Sequence, residues 1–480
     1  MERLGAKFAA GVQRPAYDRE ALTPGIVHIG LGAFHRAHQA VYTDDALAVE
    51  FGPWGIVGAS LRSVEIARDL RAQDCLYSVV ARAPSGDRAR VIGSILDAVP
   101  ATQERERLLS LLSDDAIRLA TLTVSEKAYG IDPSTGGLDP DHPSVKADLA
   151  NPRAPCSAIG LIVGALARRR EARLAPFTVL CCDNLPANGR IVRRLTLEMA
   201  ERRDPALAGW IAAEGRFPSS MVDRIVPAAT DETRALAARL IGKCDAVALE
   251  TEPFTQWVVE DAFVSGRPAW EAGGALFVAD VGPYEKMKLR MLNGSHSLIA
   301  YLGQLHGLEL VRDVLARPEH AARVRAHMEA ATATLDPVPG IDLALYRDQL
   351  LARFASPSIA HRTAQIAMDG SQKLPQRIFA PAMEVLAAGG EAEAFACVTA
   401  LWLAYLRRTK HADDPRAAEL RTAAEKSLAS ETLSAPFFAI PGLFPTPLVA
   451  AESWRARVDA HLATLAGADG RPAQTSSRTP

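Results

Sequence analysis

Three polar side chains between residues 283 and 303 have the types that alcohol–ketone chemistry needs: Lys288, Asn293 and His296. A lysine can take up a proton, an amide can hold an oxyanion and an imidazole can orient a hydroxyl. In an α-helix, roughly 100° per residue would place all three within about 140°, on one side. Asparagine and glycine cost roughly 0.5–1 kcal/mol each inside a helix, so stability does not explain Asn293 and Gly294. An ordinary solvated helix face is the alternative, and the rest of the chain bears on that choice.

The helix that carries these residues is predicted over 283–303. Leu289, Leu292 and Ile299 recur at helical spacing, Pro283 suits a first turn and Gly303 offers an end. The sequence therefore predicts one continuous helix.

An anion-binding turn is predicted near the start of the chain. The residues from 25 to 45 read as a short strand, a glycine turn and a helix, which directs backbone N–H groups and the helix dipole at an anion. Gly30 and Gly32 fit the first two glycines of the dinucleotide fingerprint, but His35 occupies the third position. A plain strand–helix turn therefore remains an alternative.

Polar residues follow other predicted strands at the edge where doubly wound sheets bind ligands. Glu126 follows the strand 117–124, and Asp183 and Asn184 follow the strand 177–181. The acidic residue expected after the second strand, for the adenosine ribose, is missing from the strand itself, and Glu65 is the nearest candidate. Arg62 lies close to it, so charge alone leaves the choice between NAD and NADP open.

The pattern of elements changes near residue 280, which predicts an α/β domain followed by an all-α domain. Before that point strands alternate with helices; afterwards helical stretches dominate. We predict a Rossmann-type NAD-binding domain over 1–280, a helical catalytic domain over 281–465 and a disordered tail over 466–480. The predicted strands are 26–29, 54–59, 76–81, 90–95, 117–124, 177–181, 221–227, 247–250 and 256–263, and 132–155 is predicted to be a surface loop. The predicted helices of the second domain are 284–303, 317–334, 343–354, 358–368, 375–388, 390–408 and 415–429.

The bulk composition argues against several kinds of partner. The chain has 480 residues, of which 48% are apolar and 23% charged, and a formal net charge of −2 without long basic runs, which argues against nucleic acid. No apolar stretch reaches the roughly 18–20 residues of a membrane span, and the start does not resemble a signal peptide. The six cysteines form no CxxC and show no zinc-site spacing. We therefore expect a cytoplasmic protein with no structural metal and a small-molecule substrate.

Four segments together resemble the polyol-specific long-chain dehydrogenase/reductase family, also called the mannitol dehydrogenase family. They are GxGxFHRAH at 30–38, CDNLPANG at 182–189, QWVVEDAF at 256–263 and KxxxxNGSH at 288–296. The resemblance covers roughly residues 12–460. It implies an NAD-dependent, metal-independent enzyme that is a monomer or small homo-oligomer.

The resemblance also implies roles for individual residues. Lys288 would be the general base, Asn184 and Asn293 would form an oxyanion hole, and His296 would hydrogen-bond the substrate. The cofactor would contact the glycine turn and the strand ends; the residues implied are Gly30, Gly32, Ala33, Phe34, Arg36, Glu65, Glu126 and Asn184.

The sequences of several segments are most similar to the fructuronate reductase (D-mannonate oxidoreductase) branch of the family, above all HRTAQIAMDGSQKLPQR at 361–377. Mannitol-type members tend to place an arginine where this chain has Gln365. A buried uronate carboxylate needs a cation, and Arg362, Lys373 and Arg377 are the candidates, with Asp183 as a further substrate contact. Lys373 and Arg377 are equally compatible with surface charges.

Three alternatives stay open at this point. A mannitol 2-dehydrogenase or related polyol dehydrogenase keeps the chemistry and changes the substrate. A β-hydroxyacid dehydrogenase of the phosphogluconate type is disfavoured by the lysine-to-asparagine spacing and the missing third glycine. A dinucleotide-binding scaffold without catalysis is disfavoured by the intact polar set.

Overall fold

The computed structural model describes residues 12–358 and 360–467 of the chain. These residues belong to two compact units that divide between Gly282 and Pro283. Most of the predicted tail therefore lies outside the described residues; only 466 and 467 are described, at the end of the last helix. Within the described part, no helix is both long and apolar enough to cross a membrane.

The first unit is built on a five-stranded parallel sheet with the strand order β5-β2-β1-β6-β7. Two three-stranded sheets accompany it, with the orders β4-β3-β9 and β11-β10-β8. The strands are β1 Pro24–Ile29, β2 Gly55–Ser60, β3 Tyr77–Ala81, β4 Arg88–Ile92, β5 Ile95–Pro100, β6 Leu119–Leu122, β7 Thr178–Cys181, β8 Ser220–Asp223, β9 Leu249–Thr251, β10 Gln256–Glu260 and β11 Leu276–Val278. The helices are α1 Ala33–Ala37, α2 Gln39–Val49, α3 Glu65–Arg71, α4 Arg105–Ser113, α5 Pro143–Ala150, α6 Ala158–Glu171, α7 Asn188–Arg203, α8 Pro205–Glu214 and α9 Asp231–Ile241. The sheet and its helices confirm the predicted Rossmann-type α/β fold.

The strands of the central sheet are buried, which is why they are readable in the sequence. β2, β6 and β7 are buried along their whole length, and parallel strands covered on both faces read as continuous apolar runs. Ile26, Val27 and Ile29 of β1 are fully buried in the same sheet. The carboxyl ends of β1, β2, β6 and β7 therefore lie along one edge, as the candidate cofactor residues require.

Two predicted elements of this unit are wrong in detail. The strand predicted over 90–95 is two strands: β4 pairs antiparallel with β3, whereas β5 joins the central sheet beside β2. Gly93 and Ser94 make the break between them. The loop predicted over 132–155 contains α5, which has Pro143 in its first turn.

The second unit is helical, as predicted. Its helices are α10 Gly282–Met287, α11 Gly294–His306, α12 Val311–Leu315, α13 Pro318–Thr332, α14 Leu343–Phe354, α15 Thr363–Ile366, α16 Gly370–Leu374, α17 Ala380–Ala387, α18 Glu393–Arg408, α19 Ala417–Ser427, α20 Ala435–Phe438, α21 Thr446–Ala450 and α22 Glu452–Gly467. Helix α11 packs against α13, α15 and α18, and its residues from 294 to 303 are all buried. It forms the centre of this unit.

Two helices of this unit contain π-helical turns that the sequence did not reveal. Residues Lys288–Asn293 join α10 to α11 as a π-helix, and Pro375–Phe379 join α16 to α17 in the same way. The two π segments pack against each other. The helix predicted over 358–368 is wrong: among its described residues only the single turn α15 is helical.

Candidate active site

The glycine turn after β1 has the geometry that close approach of a ligand needs. Gly30 has φ +107°, and a Cβ there would lie 2.0 Å from the main-chain oxygen of Thr123, so only glycine fits. Gly32 is exposed, and the nearest atom to an added Cβ would be the oxygen of Gly30 at 3.7 Å. Ala33 and Phe34 follow in the first turn of α1, where main-chain N–H groups have no acceptor within the helix. The N–H groups of Gly30, Leu31 and Gly32 donate to main-chain oxygens, so the N–H groups at the start of α1 are the ones suited to a dinucleotide phosphate.

His35 fills the space behind this turn, which explains the missing third glycine. Its buried ring stacks on His28, with ring centroids 3.3 Å apart. His28 in turn contacts the Thr121 hydroxyl through Nδ1 at 2.8 Å and the Gly30 oxygen through Nε2 at 3.0 Å. Burial lowers the pKa of both rings, to about 3 for His28. Two neutral imidazoles thus support the turn from inside.

Arg36 has a structural position rather than one at the turn. Its side chain is 5% exposed, its Nη1 donates to the Val247 oxygen at 2.6 Å, and its guanidinium lies over the Tyr77 ring. The Tyr77 hydroxyl donates back to the Arg36 oxygen at 2.7 Å. Arg36 therefore ties α1 to β3 and to the segment before β9, a structural role in place of the predicted cofactor contact.

Two acidic residues were predicted to contact the cofactor. Glu65 is exposed at the start of α3, after the carboxyl end of β2, where a ribose contact is expected. Hydrogen bonds from main-chain N–H and from Ser63 lower the pKa of its carboxyl, so it is ionised at neutral pH. Glu126 begins a 3-10 turn after β6, and its side chain lies outside the described part of the chain.

The ends of β6 and β7 are held together by Asp183. Its Oδ2 accepts from the Tyr129 hydroxyl at 2.5 Å and from the Val124 N–H at 3.0 Å. Asn184 follows as an exposed residue of the turn, and the buried Asn188 side chain donates to the main-chain oxygen of Asp183 at 2.9 Å. Asp183 thus fixes the turn that presents Asn184, a function that the sequence reading did not assign to it.

Lys288, Asn293 and His296 are all buried in the second unit, with 8%, 6% and 8% of their surface exposed. An ordinary solvated helix face is therefore excluded for these three residues. Lys288 and Asn293 are the first and last residues of the π segment. Because π-helical hydrogen bonds join residues five apart, the two side chains lie one above the other, closer in direction than the α-helical prediction placed them.

The ring of His296 lies among other rings and positive charges. Its centroid is 4.6 Å from that of Phe354 and 5.0 Å from that of His361. Burial, His361 and the charges of Arg377, Arg353 and Lys288 lower the pKa of His296 well below its ordinary value. Burial and Arg353 also lower the pKa of His361, to about 4. Both imidazoles are therefore neutral at pH 7, and the positive charge around them comes from the lysine and the two arginines.

Two buried polar atoms of this cluster lack a hydrogen-bond partner among the described residues. Asn293 Nδ2 and His296 Nε2 make no hydrogen bond to any described residue. Arg377 is nearby, since its Nη1 lies 3.3 Å from both the main-chain oxygen of Asn293 and the Ser297 hydroxyl. Buried polar groups are normally satisfied, so this arrangement is suited to a bound hydroxyl or carbonyl oxygen.

The three predicted carboxylate partners occupy different places. Arg377 lies beside Asn293, as described. Lys373 donates to the Met368 oxygen at 2.6 Å and so closes the turn before α16. Arg362 is 69% exposed and lies 3.9 Å from Glu309. The structure therefore brings only Arg377 of the three into the neighbourhood of His296.

Arg353 is the residue of this cluster that sequence reasoning missed. It is the penultimate residue of α14, next to Phe354, whose ring packs on His296. In a sequence, an arginine in the last turn of a helix reads as a partner of the helix dipole. Only the packing of α14 beside α11 shows its relation to His296.

No group of three or more His, Cys, Asp or Glu side chains in residues 12–358 and 360–467 is placed to hold a metal ion.

Comparison with known proteins gives a consistent picture. Residues 24–272 match the mannitol dehydrogenase Rossmann domain, and residues 280–435 match the mannitol dehydrogenase C-terminal domain. The chain is 49% identical over 373 residues to the uncharacterized oxidoreductase YeiQ of Escherichia coli strain K12, covering 77% of this chain and 76% of that protein. It is 46% identical over 399 residues to the D-mannonate oxidoreductase of the same strain, covering 82% of each. Among solved structures, it is similar to Pseudomonas fluorescens mannitol 2-dehydrogenase in a ternary complex with NAD and D-mannitol, with a TM-score of 0.85 and 37% identity over 97% of this chain and 98% of that one.

Proposed function

Because this chain belongs to the mannitol dehydrogenase family and is an oxidoreductase acting on CH–OH groups, we propose that it interconverts D-fructuronate and D-mannonate with NAD. The observation that carries the choice of substrate is the grouping of Lys288, Arg353 and Arg377 around the neutral His296. A sugar acid differs from a polyol by a carboxylate, and a carboxylate taken out of water needs positive charge and hydrogen-bond donors. The 46% identity to a D-mannonate oxidoreductase supports the same choice.

The proposed roles follow from the burial, the hydrogen bonding and the protonation of the side chains. When bound at the glycine turn, NAD supplies the acceptor, and NADH the donor, of hydride. Lys288 Nζ takes the proton of the reacting hydroxyl in oxidation and returns it in reduction. Asn293 Nδ2, buried and without a hydrogen-bond acceptor among described residues, donates to the oxygen on which negative charge grows. His296 is neutral, so its Nε2 hydrogen-bonds a substrate hydroxyl without adding charge.

NAD rather than NADP is proposed on the basis of Glu65. Its exposed, ionised carboxylate follows β2, where it can accept from the two ribose hydroxyls and repel a 2′-phosphate. The NAD in the similar Pseudomonas fluorescens structure supports this choice.

The remaining assignments rest on the resemblance and stay predictions. They comprise the oxyanion role of Asn184 and the substrate contacts of Asp183, Arg362 and Lys373. A cytoplasmic location and a monomer or small homo-oligomer are proposed on the same basis.

The test is oxidation of NADH at neutral pH by the purified protein, with fructuronate and fructose offered in parallel. We expect turnover of fructuronate and little of fructose. Lys288→Ala should lower kcat by about 10²–10⁴-fold. Lys286→Ala is the matched control, because Lys286 is on the same helix and lies 3.6 Å from Glu384 and 3.7 Å from Asp336. It should keep the activity.

The second candidate is mannitol 2-dehydrogenase activity, which the similarity to the Pseudomonas fluorescens enzyme favours. Turnover of fructose alone would establish it and refute the sugar-acid proposal. Equal loss in Lys288→Ala and Lys286→Ala would instead refute the role of Lys288.

A further inference from the structure

Two π-helical segments of the second unit pack against each other. The first, Lys288–Asn293, carries the proposed base at one end and a proposed oxyanion donor at the other. The second, Pro375–Phe379, leads into α17. π-helical turns are rare, and those that occur often lie at functional sites. The side chains that connect the two segments are therefore candidates for a role in turnover.

Arg290 connects the first π segment to α17. Its side chain is buried, and its Nη1 and Nη2 donate to the two carboxylate oxygens of Glu384 at 2.6 and 2.5 Å. Nη1 also donates to the main-chain oxygen of Thr334 at 2.8 Å, just beyond the end of α13. Lys286 approaches the same carboxylate only to 3.6 Å, so Arg290 is the main partner of Glu384. The first π segment is thus held at two other parts of the unit.

A second connection runs in the opposite direction. Arg377 belongs to the second π segment, and its Nη1 lies 3.3 Å from the main-chain oxygen of Asn293, the last residue of the first segment. Each π segment therefore supplies an arginine that contacts the other segment or the helix that continues it.

The ion pair between Arg290 and Glu384 is costly to break. Hydrogen bonds from Arg290 lower the pKa of Glu384, so the carboxylate is ionised at neutral pH. Only 5% of the Arg290 side chain is exposed, against 47% of the Glu384 side chain. A buried guanidinium that loses its carboxylate keeps its charge and loses the interaction that compensates for its desolvation. It must then move toward solvent, and the π segment that carries it must move as well.

The register of the first π segment decides whether the proposed base and oxyanion donor share one side of the helix. In a regular α-helix, side chains five residues apart point about 140° away from each other. In a π-helix the hydrogen bonds join residues five apart, which brings Lys288 and Asn293 to the same side. A change to α-helical register would separate them.

We propose that Arg290 and Glu384 are positioning residues: their ion pair keeps the first π segment in register and so places Lys288 beside Asn293. Neither residue of the pair touches the substrate in this proposal. The inference rests on the roles proposed for Lys288 and Asn293, and it gives the ion pair a function in turnover beyond the stability of the fold.

Steady-state kinetics of Glu384→Gln test the proposal, with the wild type and Lys288→Ala measured alongside on the substrate that the wild type turns over. We expect kcat to fall about 10–100-fold at nearly unchanged KM, because the reacting groups are misplaced while the substrate contacts remain. The midpoint of the pH dependence of kcat should also move, because a displaced base ionises in a different environment. Arg290→Met should behave in the same way and retains the apolar packing, so it decides the matter if Glu384→Gln does not fold.

The matched control is Arg457→Gln. It removes an ion pair of the same unit, in which Arg457 of α22 lies 2.6 Å from Glu391 and 3.0 Å from Glu393. This variant should change neither kcat nor its pH dependence. A lower melting temperature of Glu384→Gln and Arg290→Met with unchanged kcat and pH dependence would overturn the proposal, because the ion pair would then be purely structural.

Absent turnover in the wild type would refute the proposed function and not the positioning of the π segment. Hydrogen exchange of the main-chain N–H groups from 288 to 293 decides that question without substrate. Exchange should be faster in Glu384→Gln than in the wild type and unchanged in Arg457→Gln. Equal exchange in all three proteins would overturn the proposal.

Discussion

The neutral protonation state of His296 determines what this side chain can do in the proposed active site. Neighbouring positive charges and burial keep the ring neutral, so it can hydrogen-bond a hydroxyl but cannot balance a negative charge. Because Lys288 is proposed to exchange the reacting proton, the balancing charge must come from Arg353 and Arg377. This division suits a substrate that carries both hydroxyls and a carboxylate.

Asn293→Ala is expected to slow turnover more than it weakens substrate binding. The Asn293 amide is buried, and its Nδ2 makes no hydrogen bond to any described residue, which is the position of a donor reserved for developing charge. Loss of one such donor typically costs about 10²–10³-fold in kcat. Steady-state kinetics should show this fall with little change in KM. Gln304→Ala on the same helix, whose amide donates to the Thr363 hydroxyl, is the control and should retain kcat.

Arg353→Gln is expected to reduce discrimination between acidic and neutral substrates. Because the charge of Arg353 acts on His296 and His361, the variant should raise KM for fructuronate about tenfold or more and leave the weak reaction with fructose unchanged. Arg347→Gln is the matched control, since Arg347 is on the same helix and lies 3.1 Å from Asp348. Equal loss with both substrates would show that Arg353 acts on the fold rather than on the carboxylate.

Residue types and spacing singled out Lys288, Asn293 and His296 on one helix, but left a solvated helix face open; only the structure shows that the three side chains are buried. Residue types and spacing did not predict Arg353 or the packing role of Arg36. The positions of Arg353 and Arg36 both depend on tertiary packing. Phe354 at the end of α14 contacts His296 of α11, and α1 lies near β3 and β9. Such neighbours are far apart in sequence, so local patterns do not reveal them.

The sequence did not reveal the π segment Lys288–Asn293. Its apolar spacing is compatible with a regular α-helix, and one extra residue per turn leaves no mark in composition. The break between β4 and β5 was concealed in a similar way, because the apolar run from 90 to 95 continues through Gly93 and Ser94. β1, β2, β6 and β7 of the central sheet were predictable because strands buried on both faces read as continuous apolar runs.

Gly294→Ala is expected to destabilise the protein, although alanine is the better helix former. A Cβ on Gly294 would lie 2.6 Å from His327 Nε2 and 3.4 Å from the Arg377 oxygen, so the buried helix would have to shift. Overpacking of this kind costs about 1–3 kcal/mol. Gly209→Ala, at an exposed position of α8 with no atom within 4 Å of the new Cβ, should instead stabilise by about 0.4–1 kcal/mol. Chemical denaturation should show a lower free energy of unfolding for Gly294→Ala and a higher one for Gly209→Ala. A higher free energy of unfolding for both variants would contradict the packing of α11 on α13.

On the scale of the whole molecule, both units keep histidines neutral in their interiors. His28 and His35 lie beneath the glycine turn of the first unit. In the second unit His296 belongs to α11, and His361 and His327 lie beside it. Burial is the first cause of the lowered pKa in every case. Each of these rings resists protonation only while its unit is folded.

This arrangement predicts loss of stability in mild acid. Between the ordinary histidine pKa of 6.5 and the folded values, about 4 for His327 and His361 and about 3 for His28, the unfolded chain binds more protons than the folded one. The free energy of unfolding is therefore at its full value above pH 6.5 and falls as pH decreases through this window. At pH 5 each such histidine removes about 2 kcal/mol. Denaturant unfolding at pH 7.5 and at pH 5 should show a lower free energy of unfolding at pH 5. The difference between the two pH values should be about 2 kcal/mol smaller in His327→Gln. It should be unchanged in His411→Gln, because His411 is exposed. Equal stability of the wild type at the two pH values would contradict the neutral state inferred for these rings, and with it the premise that His296 binds a hydroxyl without charge.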